Sequence, residues 1–148
     1  MKDFINKINR VQDFVENDVQ DIIGTEAVDH FKQSFHDEAF SDKAEKDEPW
    51  KEVQRRKNPR NKGRAAGRRK ILTGPTGELG DSIDYHRQGK DVAITSDKVY
   101  AEVHNEGLRA GRGKGFKMPK RQFIGKSFLL NQRIKDKIGK KIKRILER

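Results

Sequence analysis

The chain is expected to fold as an α+β domain: a small antiparallel β-sheet flanked by long N-terminal and C-terminal amphipathic helices, with a long basic loop between them. Three observations predict this. Apolar residues recur at three- and four-residue steps at both ends of the chain, short β-branched or aromatic segments bounded by Gly and Asp occupy the middle, and residues 41–70 follow neither pattern.

At the N-terminal end Phe4, Ile8, Val11, Val15 and Ile22, with Phe14 and Val19 beside them, mark one face of a helix from about Asp3 to Ile23. Gly24 is expected to end or bend it, Thr25 to cap a continuation, and Ala27, Val28, Phe31 and Phe35 to carry helical spacing to about Ala39. Ser41 to Lys70 contains Pro49, Pro59 and nine basic residues with no acid from Arg55 to Lys70, so it reads as an extended arm that orders on assembly. Trp50 is its expected anchor, because an indole buries much apolar area from one position. Ile71–Thr73, Asp81–His86 and Asp91–Thr95 read as antiparallel strands, with Gly89-Lys90 in a connecting turn. Val99–Asn105 reads as a short helix ended by Gly107, and a basic Gly-rich loop covers residues 108–126. Leu130, Ile134, Ile138, Ile142 and Ile145 then give a helix over 127–148 whose opposite face is cationic, with nine basic and two acidic residues from Lys126 onward.

The 148 residues fit a single domain, 1–148, with 32% hydrophobic and 39% charged residues. So polar a chain buries little apolar surface against the entropy of ordering, which favours association with other subunits. The net charge of +11 is divided unevenly: residues 1–54 carry 7 basic and 14 acidic side chains and residues 55–148 carry 27 and 9, or −7 against +18. Such polarity orients subunits or turns one part of the chain toward nucleic acid. With no cysteine, disulfides and thiolate chemistry are excluded, which suits a reducing cytoplasm. Charges interrupt the first residues too often for a signal peptide, and no apolar run approaches membrane-spanning length, so no membrane partner is expected.

No constellation for catalysis emerges. Gly125-Lys126-Ser127 lacks the phosphate-loop glycine five residues earlier, where Lys120 stands, and the glycines of GPTGELG mark a turn. Histidines 30, 36, 86 and 104 have no metal-ligand spacing, and His104, beside Val103 on the short helix, is expected to be a hydrogen-bonded packing residue. No cofactor, metal or catalytic residue is expected, and the chain is read as a non-enzyme. The basic residues Arg55, Arg56, Arg60, Arg64, Arg68 and Arg69, with Arg109, Arg112, Lys114 and Lys117 in the second loop, are candidates for contact with a partner or with DNA phosphates, without base readout.

The segment from Leu72 to Ser127 resembles the virion morphogenesis (tail-completion) family of tailed bacteriophages. The resemblance is carried by Gly77, Leu79, Ser82 and Ile83, by the strand Val92–Thr95, by Tyr100-Ala101 with His104 and Gly107, and by Met118-Pro119, Arg121, Phe123 and Gly125. Gln122 stands where that family often has proline. The resemblance implies a structural virion protein: a ring, hexamer or dodecamer, that joins or closes the tail at the head–tail junction. Neighbouring neck, connector or tail-tube proteins would be its partners, with assembly in the host cytoplasm. The competing reading is a stand-alone basic nucleic-acid-binding protein.

Overall fold

The computed structural model describes residues 1–42 and 48–148, with Glu48 described only in its backbone. It is α+β. Two long N-terminal helices, α1 (Lys2–Asn17) and α2 (Val19–Asp37), are followed by the strand pair β1 (Ala39–Phe40) and β2 (Glu48–Pro49). Three short helical turns come next, α3 (Gln54–Lys57), a 3-10 turn at Pro59–Asn61 and α4 (Ala65–Arg68), and a fourth, α5 (Glu78–Asp81), precedes the hairpin β3 (Asp84–Gln88) and β4 (Asp91–Thr95). The chain continues through α6 (Ala101–Glu106) and the pair β5 (Arg109–Ala110) and β6 (Phe116–Lys117) to α7 (Phe128–Glu147). All three strand pairs are antiparallel, and Tyr85 faces Ile94 across the largest.

The core is built along α2. Ala27, Phe31 and Phe35 face Trp50, Ile71, Leu79, Ile83, Ala101, Phe123 and Leu130. Phe35 meets Trp50 edge-on at 5.5 Å and Phe123 at 5.0 Å between ring centres. Trp50 is the expected anchor, buried, with its indole N–H donated to the Gln122 carbonyl at 2.9 Å. The start of α7 is fixed by Ser127, whose hydroxyl accepts the Leu130 N–H at 3.1 Å and donates to the Ser41 carbonyl at 2.9 Å.

Several boundaries differ from the sequence reading. The first helix breaks at Asp18 and not at Gly24, which lies buried inside α2 with Thr25 beside it in mid-helix. Gly24 is glycine for a different reason: a Cβ there would come within 2.1 Å of the Tyr85 ring of β3. Helix α2 stops at Asp37, two residues before Ala39, because Glu38 adopts a left-handed conformation, φ 55°. Ile71–Thr73 forms no strand, and the first long strand starts at Asp84 because Glu78–Asp81 is helical.

The largest difference lies in the basic stretch. Residues 54–70 are not an extended arm but a compact loop of helical turns, because its arginines satisfy the loop's own carbonyls. Arg55 donates to the Ala66 and Lys70 carbonyls at 2.5 and 2.7 Å, and Asn61 Nδ2 to the Arg55 carbonyl at 2.9 Å. The part of the expected arm at residues 43–47 lies outside the described residues.

Candidate assembly interface

The residues singled out from sequence divide into a set that holds the fold and a set that surrounds it. Leu79, Ile83, Ala101 and Phe123 are core side chains. Gly77 starts α5 with φ 74° and Gly107 ends α6 with φ 69°, its α-carbon face pressed against Lys120. The Ser82 hydroxyl donates to the Leu79 carbonyl at 2.7 Å and lies 2.6 Å from the Ser96 hydroxyl. Met118 donates its N–H to the Leu108 carbonyl at 2.9 Å, which brings the chain back after the hairpin, with Pro119 next and half-buried. Arg121 is buried at 6% exposure and grips the Lys51 carbonyl through two donors at 3.0 and 2.8 Å. Burial lowers its pKa, and the negative charge of Glu52 offsets this only in part. Gly125 lies under the Gln122 amide, which would collide with any Cβ there.

His104 departs from expectation. Its backbone is bonded at both ends, yet the ring Nδ1 is buried with no hydrogen-bond partner among the described residues. Burial, reinforced by the charge of Arg121, lowers its pKa, so the imidazole packs as a neutral ring, edge-on to Tyr100 at 6.1 Å. Tyr100 and His104 together wall a cavity of about 360 Å³ whose other sides are Leu72 to Thr76, Glu78 and Leu79.

Two structurally central residues carried no sequence signal that was read. Asn105 accepts the Phe123 and Ile124 N–H groups at 2.9 Å each and donates to the Ile124 carbonyl at 3.1 Å, so its amide replaces a strand partner for this segment. An amide two residues before a helix-ending glycine is the available clue. Glu38 receives the Arg56 guanidinium through both oxygens and the Ile71 N–H at 2.8 Å, while its own carbonyl accepts the Trp50 N–H at 2.7 Å. The Arg56 hydrogen bonds, aided by Ile71 and by positive charge, hold the Glu38 carboxyl below the usual glutamate range.

A depressed carboxylate pKa contributes stability above the unfolded value of about 4.3 and loses it as pH falls through the folded value. Glu38→Gln is therefore expected to cost about 1–2 kcal/mol at neutral pH and progressively less below pH ~4. Urea unfolding of both proteins at several pH values checks this, and a constant difference across the range would contradict it.

The remaining basic candidates lie on the surface. Arg55 and Arg56 are committed to the folded loop, and Arg69 accepts Arg56 at its carbonyl and is half-buried. Arg60, Arg64, Arg68, Arg112, Lys114 and Lys117 are exposed, as is Arg109, which donates to the Lys114 carbonyl at 2.6 Å across the hairpin. With the cationic face of α7 they leave much of the positive surface unmatched. Apolar side chains are exposed as well: Phe4, Ile5, Ile8 and Val15 on α1, Val99 before α6, and Phe116 on β6.

Among the described residues no group of three His, Asp or Glu stands close enough to hold a metal ion, and no helix is long and apolar enough to cross a membrane. The model of the Phage virion morphogenesis family matches residues 6–143, nearly the whole chain. The chain belongs to the phage virion morphogenesis family. No curated protein and no solved structure matches it. Membership of this family gives the protein a part in building a phage particle. The match also takes in most of both terminal helices, beyond the central segment that carried most of the sequence resemblance.

Proposed function

We propose that this member of the phage virion morphogenesis family is a structural subunit, not an enzyme, and forms a ring that completes the tail or neck where tail meets head. The observation that carries the reading is the division of labour among its residues. Among the motif side chains Leu79, Ile83, Ala101 and Phe123 are committed to the core and Ser82 and Arg121 to hydrogen bonds that hold it, while large apolar side chains and unmatched positive charge remain on the surface. A protein whose motif maintains a scaffold and whose surface carries unburied apolar groups is suited to bind its own kind and neighbouring neck, connector or tail-tube proteins. The exposed arginines and lysines would contact phage DNA non-specifically, with binding that weakens steeply as salt rises. Assembly would take place in the host cytoplasm, and the product would be found in the virion.

Deleting the protein from its phage is the direct test. Filled heads and separate tails, or tails with abnormal ends, are expected by electron microscopy, together with loss of infectivity. Normal infectious particles without it would refute the proposal. The competing reading, a stand-alone nucleic-acid-binding protein, predicts instead that virions form without it.

A further inference from the structure

We propose that the cavity beside Tyr100 receives Phe116 from a second copy of this chain, so that the β5–β6 hairpin of one subunit plugs into the next. This rests on the self-association proposed above and names a contact that would produce it.

The plug is unusual in its own subunit. Phe116 is 58% exposed, and the hairpin that carries it contains Gly111, Gly113 and Gly115, all with φ between 58° and 93°. The ring lies over Gly111, which offers no side chain to cover it. An aromatic ring held on a paired strand, beside Gly111 and opposite Ala110, loses little freedom on docking and contributes a large apolar area.

The socket is preformed. The cavity of about 360 Å³ is ample for one phenyl ring, and its apolar walls are Leu72, Pro75, Leu79 and Tyr100. Val99, 94% exposed, stands next to Tyr100 in the chain. Leu72 sits at φ 60°, a conformation that bulky residues adopt only where surrounding structure imposes it, so this wall is set by the fold before anything binds.

Charge favours the same pairing. Arg109, Arg112, Lys114 and Lys117 surround the plug, whereas Glu78, Asp81, Asp97 and Glu102 are exposed on the segments that form the socket or flank it. Lys98, 3.9 Å from Glu78, offsets only part of that acidity. The socket stands at the N-terminal end of α6 and the hairpin leaves from its C-terminal end, so the contact joins unlike surfaces and can repeat from copy to copy.

Two exposed positions test this without touching the core. Phe116→Ala removes the plug, and Thr76→Arg places a long cationic side chain at the socket mouth. Each variant is expected to melt like the parent protein yet sediment as a monomer at concentrations where the parent assembles. An equimolar mixture is expected to give a dimer and nothing larger, because the plug of one variant fits the socket of the other while the second pair stays broken. The cysteine-free chain allows a second readout: Thr76→Cys/Lys117→Cys, which keeps the Phe116 plug, should oxidise to a ladder of linked copies, and neither single variant should. If the parent assembles and both variants assemble equally well, this contact is wrong and the self-association reading stands. If the parent is monomeric at every concentration and the double variant gives no ladder, both fail.

Discussion

Phe123→Ala is expected to lower the free energy of unfolding by about 3–5 kcal/mol, enough to leave much of the protein unfolded. Phe123 has no exposed surface and packs on Phe35, itself in contact with Trp50, so the lost ring opens a cavity bounded by side chains from distant parts of the chain. The residue's backbone is fixed independently through Asn105, which limits how far the surroundings can collapse into the gap. Chemical denaturation measures the loss, with Phe116→Ala as the control expected to fall within about 0.5 kcal/mol of the parent. Comparable values for the two would show that the core is centred elsewhere.

Gly24→Ala is expected to destabilise by about 1–3 kcal/mol, with a sign opposite to helix propensity. Inside an ordinary helix the same change would stabilise by about 1 kcal/mol. Here the added methyl collides with the Tyr85 ring, and Tyr85 cannot simply swing away because it packs on α2 and its hydroxyl donates to Asp21 at 3.3 Å. A double-mutant cycle with Tyr85→Ala isolates the cause, since removing the ring should abolish the penalty. Stabilisation by the single substitution would mean that the hairpin does not sit on this face of α2.

These cases show what the sequence could and could not convey. Helix α7 was legible because its apolar steps of four and three depend only on neighbours in the chain. The same holds for α6, ended by Gly107. Gly24 was misread because a glycine that breaks a helix and one that admits a ring from elsewhere look alike until the partner is known. The 54–70 loop was misread because charge counts describe side chains as solvated, whereas Arg55 and Arg56 use their donors on backbone carbonyls and on Glu38. Of the residues that carried the resemblance, Leu79, Ile83, Ala101 and Phe123 lie in the core, and the cavity beside Tyr100 depends also on Leu72 and Pro75, which no periodicity marks.

The hydrogen bond from Lys7 Nζ to the Leu146 carbonyl joins residues 139 apart in the chain. Helix α1 touches the rest of the molecule largely through α7 and the start of α2, and buries only Phe14. Closing so long a loop is entropically the most demanding of the local docking events, and it returns little buried surface. During synthesis α1 emerges well before α7 exists, so this docking waits until the chain is nearly complete, and Phe4, Ile5, Ile8 and Val15 stay exposed even then. In the finished protein the same helix can detach and leave α2 and its core intact.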